Sequence, residues 1–308
     1  MRCHCRRWWL RRCGRRDVFA GSFGDETGCD AICDDSGKVV VPATLTCSLS
    51  EVFQGVRTGE RIFFDDGKIG GLLSHDAAER LEIEITQVVG GKTRLSNEKG
   101  INLPDSHLDL PALSIKDRQD LEFAVDHADL LAMSFVQRPE DIKQLVAELD
   151  RLGRHSLGIV LKIETQHAFA ELPALLLEVM KQYPVAVMVA RGDLGVEVGF
   201  ERLAEVQEEI LWLCEAAHVP VIWATQVLES LAKGGMPSRA EVTDSALSGR
   251  AECVMLNKGP YIMQTLQFLK NVLDRMETHL QKKTALLRRL SVSDLHNAAK
   301  PRKALERA

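Results

Sequence analysis

No run of about eighteen apolar residues occurs anywhere in this 308-residue chain, whose longest apolar stretches are cut by Lys, Glu or Gln within a few positions, and that excludes a membrane-spanning helix. Acidic residues are missing from the first sixteen positions, where seven arginines sit. With a whole-chain charge of −5, those arginines leave −12 on the remainder. So acidic a body does not carry the basic footprint of a nucleic-acid binder. Serine is absent before Ser22, and Trp8-Trp9-Leu10 is too short an apolar core for export, so neither a transit peptide nor a secretory signal is expected. Paired CxxC spacing is lacking as well. Five of the eight cysteines (Cys3, Cys5, Cys13, Cys29, Cys33) crowd the first 33 residues, while Cys47, Cys214 and Cys253 lie singly among apolar neighbours. The spacing of Cys3, His4, Cys5 and Cys13 argues against a metal site there. The scattered thiols are expected to pack as small hydrophobes, in a reducing, cytoplasmic setting.

What is present is the composition of a soluble globular chain, 45% apolar and 27% charged. Residues 1–42 read as a poorly structured N-terminal segment, with one hairpin from Asp34 to Val41. Residues 43–104 read as a small β unit, because RLEIEITQVV alternates apolar with charged residues and its neighbours carry Gly-containing turns. From residue 105 to 290 the texture changes. Apolar β-branched runs alternate with amphipathic stretches, the signature of βαβ units and a parallel sheet. Strands are predicted at 130–135, 157–164, 185–193, 219–226 and 252–259. Helices are predicted around 114–127, 139–152, 166–182, 200–217, 226–233, 240–249 and 260–285, with residues 291–308 as a tail. A closed (β/α)8 barrel takes roughly 250 residues, and 105–290 holds 186. The expected architecture is therefore α/β, a partial (β/α)8 TIM barrel of about five of eight units, with a small β lid domain on its N-terminal side.

Chemistry is expected where these strands end. In LKIET the pleat sends Lys162 and Glu164 to one face, since side chains two apart point together. The C-terminal ends of parallel strands are where barrel enzymes hold catalytic groups. The next run ends in Arg191, Gly192 and Asp193, the glycine admitting close approach of a ligand. Glu164 and Asp193 can offer two oxygens to magnesium, which takes one or two carboxylates and completes its shell with water and substrate oxygens. A third strand ends in Ala224-Thr225-Gln226, with a hydroxyl at the same rim.

Over most of residues 43–290 the chain resembles pyruvate kinases. The matching strings are FFDDG (63–67), EKGINLPDS (98–106), LDLPALSIKDRQDL (108–121), SFVQRPED (134–141), LKIET (161–165), MVARGDLGVEV (188–198), PVIWATQVLES (220–230), PSRAE (237–241) and ECVML (252–256), all in the family's order. The resemblance implies Glu164 and Asp193 as ligands of Mg2+ (or Mn2+) and Lys162 as the cation that stabilises the phosphoryl group in flight. It implies Arg191, Gly192 and Asp193 around the carboxylate of phosphoenolpyruvate, and Thr225 in the proton step that yields pyruvate. The β unit resembles the second half of the family's lid, with Lys99 and Asp66 facing the nucleotide, ADP or ATP. Closure of such a lid excludes water from the phosphoryl group.

Departures from the family are equally specific. No counterpart of its early Arg, Asn-x-Ser-His motif and Asp is found, so the K+ site is expected to be largely missing; the only early Ser-His is Ser74-His75. Asn257-Lys258-Gly259-Pro260 stands where the family carries Ser-Gly-Glu-Thr, and nothing after residue 290 matches a regulatory domain. The expectation is a truncated phosphotransferase of weak or no activity. Two other readings stand beside it: a non-catalytic module completing its barrel with another chain, and a magnesium-dependent aldolase or lyase. Neither nucleic acid nor membrane is an expected partner, and homo-oligomerisation is left open.

Overall fold

The computed structural model describes residues 2–4, 8–11, 18–23, 32–36, 39–41, 43–47, 55–77, 80–95, 99–106, 108, 110–153 and 157–280. The chain divides into two units. The first comprises Met1–Pro111 with Gly195–Gly199, and the second comprises Ala112–Leu194 and Phe200–Ala308.

The first unit is built from β1 (Arg2–His4), β2 (Trp8–Arg11), β3 (Val18–Phe23), β4 (Ile32–Cys33), β5 (Val39–Val41), β6 (Ala43–Cys47), β7 (Arg61–Phe64), β8 (Ile69–Ala77), β9 (Arg80–Val88), β10 (Lys92–Leu95) and β11 (Lys99–Asn102). Seven of them close into a barrel in the order β1-β11-β7-β8-β9-β3-β6, and β10–β2 and β4–β5 form two-stranded ribbons. Period-two alternation in β7 to β9 drives this arrangement. Ile62, Phe64, Ile69, Leu73, Leu81 and Ile83 point inward and are buried, together with Leu95 and Ile101. The connection from β7 to β8 turns through Asp65, Asp66 and Gly67, all left-handed with φ of 52°, 55° and 80°, a conformation Asp and Gly accept more readily than most residues. Where β8 bulges against β9, a Cβ on Gly71 would stand 2.7 Å from the Glu84 carbonyl oxygen. No larger residue fits there.

The segment 1–42, read as poorly structured, contributes β1 to β5, of which β1 and β3 complete the barrel through β11, β6 and β9. Their pairing is long-range, so local composition did not reveal it; the β4–β5 ribbon is the local hairpin expected there. The unit also extends past residue 104 to Pro111.

The second unit runs α1 (Ile115–His127), β12 (Leu130–Met133), α2 (Pro139–Arg151), β13 (Gly158–Ile163), α3 (Gln166–Val179), β14 (Val185–Ala190), the start of α4 (Arg191–Val198, counted with the first unit from Gly195 on), α5 (Phe200–Ala217), β15 (Val221–Ala224), α6 (Glu229–Gly234), α7 (Arg239–Leu247), β16 (Cys253–Val254) and α8 (Ile262–Leu280). All five strands are parallel, in the order β12-β13-β14-β15-β16. A strand order that never reverses is what successive right-handed βαβ units lay down, and it differs from the switch of a doubly wound sheet. Local signals start the helices. Ser114 and Asp117 form a capping box on α1, and Ser238 and Glu241 form another on α7. One row across the sheet, Ile163, Val189 and Trp223, is fully buried, while Lys162, Met188 and Ile222 in the adjacent row are half-buried.

The strand expected to continue to Asp193 stops at Ala190, and Arg191 opens α4 directly. Asp193 lies in its first turn, where the helix dipole favours a carboxylate. The last predicted helix is described to Leu280, and the tail 291–308 lies outside the described residues. Of the three scattered thiols Cys214 is buried, Cys47 half-buried and Cys253 exposed, so Cys253 does not pack as a core hydrophobe. Burial, with the charge of Glu252, pushes the Cys214 thiol up to about 12, which removes it as a nucleophile near neutral pH. Among the described residues no helix is long and apolar enough to cross a membrane.

Candidate active site

The polar groups of the second unit gather at the C-terminal ends of four adjacent strands. β12 is followed by Ser134 and Phe135, β13 ends at Lys162 and Ile163 before Glu164, β14 delivers Arg191, Gly192 and Asp193, and β15 delivers Thr225. Parallel strands in sequential order place these ends side by side on one edge of the sheet.

Lys162 and Glu164 meet as their spacing predicts, Nζ to Oε1 at 2.8 Å. Lys162 also donates to Ser134 Oγ at 2.8 Å. The other Glu164 oxygen accepts the Phe135 backbone N–H at 2.6 Å, and Phe135 adopts a left-handed φ of 52° as it presents that amide. Glu164 is only 3% exposed. Burial raises its pKa above the ordinary carboxylate value; the Lys162 hydrogen bond and charge and the Phe135 amide oppose the rise, and the nearby Asp193 charge adds to it. A buried carboxylate with a second carboxylate near enough to disfavour its ionisation suits a hard divalent cation. Among the described residues no cluster of three or more His, Cys, Asp or Glu is arranged for a metal.

Thr225 is reached through a tight reversal. Thr225, Gln226 and Leu228 have φ of 63°, 55° and 48°, and such left-handed L-residues cost about 1–2 kcal/mol each. For β-branched Thr225 the conformation is a strained one. Its hydroxyl oxygen accepts the Gly192 backbone N–H at 2.8 Å. A Cβ built on Gly192 would meet only Thr225 Oγ1 at 3.7 Å and Thr225 Cβ at 3.9 Å. The protein therefore has space for a methyl group at this position.

Arg191, grouped by sequence with the ligand-facing residues, is 8% exposed and turned into the protein. Its Nε donates to the Ala224 carbonyl at 2.9 Å, and its terminal nitrogens donate to the Thr225 carbonyl and to Asp244. The guanidinium lies over the Trp223 ring, 4.9 Å from the centroid. Burial lowers its pKa and the Asp244 carboxylate opposes the change.

In the first unit Lys99 contacts Asp65, Nζ to Oδ1 at 2.8 Å, and Lys68 reaches the other oxygen at 2.9 Å. Burial disfavours the ionised form of Asp65, but hydrogen bonds and charge from Lys99 and Lys68 outweigh it and hold the carboxyl below its ordinary value. Asp66 is exposed. At the segment 257–260, Asn257 Nδ2 donates to Glu229 at 3.4 Å, and a Cβ on Gly259 would collide with the Ala232 carbonyl at 2.1 Å.

Sequence reading missed Ser134, the Phe135 amide, Asp244, the Trp223 ring and Asp65. The position of Ser134 directly after a strand was the available signal. Asp244 lies on a helix 53 residues from Arg191 and carried no local sign.

The family model for the pyruvate kinase barrel domain matches residues 32–264. A pyruvate kinase of Bacillus licheniformis is 32% identical over 273 residues, 86% of this chain and 46% of that protein. Pyruvate kinases of Mycobacterium intracellulare and Leishmania mexicana are 35% and 36% identical, covering 76% and 70% of this chain and 49% and 43% of theirs. The chain spans about half the length of the curated relatives it matches.

Proposed function

The chain belongs to the pyruvate kinase family, and from that premise we propose that its parallel-sheet unit serves phosphoryl transfer between phosphoenolpyruvate and ADP, giving pyruvate and ATP in the cytoplasm. The five parallel strands are read as five-eighths of an eight-stranded barrel, whose C-terminal rim is the usual seat of chemistry. The observation carrying this reading is the 2.8 Å pair of Lys162 and buried Glu164, with Asp193 close enough to act on the Glu164 carboxyl.

Glu164 and Asp193 would hold Mg2+ or Mn2+, which when bound offsets charge on the phosphoryl oxygens. Lys162 Nζ, on a stem anchored by β13, would place a second positive charge beside the equatorial oxygens of a loose transition state, where most catalysis of phosphoryl transfer originates. The backbone amides of Gly192 and Asp193, at the start of α4, would bind the carboxylate of phosphoenolpyruvate. The Thr225 hydroxyl would act in the proton step at the enolpyruvate methylene. Lys99 and Asp66 are read as nucleotide-facing residues of a lid. No residue here is assigned to K+, because the family's potassium motif has no counterpart in this sequence, and the 308-residue chain is expected to turn over weakly.

Titration with Mn2+, with free ion read by electron paramagnetic resonance, tests the assignment. Binding should weaken at least about tenfold in Glu164→Gln and in Asp193→Asn and tighten with phosphoenolpyruvate. Unchanged binding in both variants would sink it. Robust ADP-dependent pyruvate release with magnesium and potassium would overturn the expectation of weak turnover.

A further inference from the structure

We propose that Arg191 and Asp244 are positioning residues that set the Thr225 hydroxyl, and that Arg191 is not a ligand of the substrate carboxylate. The catalytic sense of the proposal rests on the reading of Thr225 given above; its structural sense does not.

A residue that greets an anionic substrate presents its charge to solvent, and Arg191 does the opposite. It is 8% exposed, its guanidinium covers the Trp223 ring, and its donors go to two consecutive carbonyls, Ala224 and Thr225, and to Asp244 on α7. Those two carbonyls sit where β15 ends and the chain enters its left-handed reversal at Thr225 and Gln226. A strained turn persists only when its surroundings over-determine it, and the planar fork of an arginine can hold two adjacent carbonyls at once. Asp244 keeps the buried cation paired.

The neighbouring residue completes the latch. Gly192 N–H donates to Thr225 Oγ1 at 2.8 Å, so the start of α4 grips Thr225 twice through consecutive residues, once at its backbone oxygen and once at its side chain. With one lone pair occupied by that amide, the hydroxyl proton cannot point toward Gly192. It is left to be donated elsewhere. Asp244, without reaching the reacting atoms, thereby bears on where the Thr225 proton goes.

The test uses the whole 308-residue chain labelled with 13C-methyl threonine, the Thr225 methyl signal being identified by its loss in Thr225→Ser. Asp244→Asn and Arg191→Lys should displace or broaden that signal more than any other threonine methyl, while Asp244→Glu restores most of its position. Exchange of pyruvate methyl hydrogens with D2O in the presence of Mn2+ should fall about tenfold in rate constant, with pyruvate affinity changed less than about twofold. An unmoved Thr225 signal in Asp244→Asn overturns the proposal, as does lost pyruvate affinity in Arg191→Lys with the signal in place. Should Thr225→Ser and Thr225→Val both leave Mn2+-dependent pyruvate exchange intact, the role of Thr225 itself fails, and the clamp is still judged by the methyl signals.

Discussion

Each unit buries one carboxylate against a lysine, and the two respond in opposite directions. Asp65, in the β-barrel unit, has Lys99 and Lys68 on its two oxygens and is held below the ordinary value. Glu164, in the parallel-sheet unit, has Lys162 on one oxygen and a backbone amide on the other, and is held above it. Burial opposes ionisation in both. Two lysines overcome it at Asp65; at the more deeply buried Glu164 one lysine, with Asp193 nearby, does not. The first carboxylate is charge-satisfied by Lys68 of its own turn and Lys99 of β11. The second is left with its ionised form disfavoured.

The largest effect should come from removing the single lysine. Lys162→Met leaves Glu164 buried without its cation, and chemical denaturation at pH 8 should show a loss of about 3 kcal/mol. The loss should shrink toward pH 4 as Glu164 takes up a proton. Equal losses at both pH values would break the comparison. Asp65→Asn should cost less, about 1 kcal/mol, because its lysine partners are partly solvated. Its pH dependence has the opposite sign. The Asp65 contribution is present above the ordinary carboxylate value and is lost as pH falls through the depressed one, whereas any Glu164 contribution is present at low pH and is lost as pH rises through the raised one. Mg2+ should flatten the Glu164 limb and leave the Asp65 limb unchanged.

Glu164→Gln sharpens the contrast from the other side. Freed of an expensive buried charge, the metal-free sheet unit should gain about 1 kcal/mol near neutral pH while losing Mn2+ affinity, the trade expected where a site is tuned for function. A metal-free protein that weakens instead would make Glu164 a structural residue like Asp65. The smallest stability effect belongs to Gly192→Ala, whose methyl makes only ordinary contacts. Thermal unfolding should stay within about 0.5 kcal/mol of the parent, while phosphoenolpyruvate-dependent tightening of Mn2+ is lost. If that tightening survives, no ligand approaches the Gly192 backbone.

Much of the sheet unit was legible because its signals are local. Apolar runs marked β12 to β16, amphipathic stretches marked the helices between them, and the pleat paired Lys162 with Glu164. α4 was not anticipated, the strand before it being carried on to Asp193, because Arg191-Gly192-Asp193 follows an apolar strand without the turn residues that usually separate strand from helix. The β-barrel unit was less legible. Its closure depends on β1 pairing with β11 and β3 pairing with β9, contacts between segments far apart in the chain.

The sequence by itself determined which residue types end each parallel strand, because strand alternation and βα order follow from periodicities of two and about 3.6 residues that any window displays. Only the tertiary structure decided what those residues touch. Ser134 meets Lys162 across 28 positions and Asp244 meets Arg191 across 53, and whether an arginine faces a ligand or turns inward to hold two carbonyls depends on which strand packs beside it. Side-chain partnership of that kind is set by the juxtaposition of distant segments, and no local pattern records it.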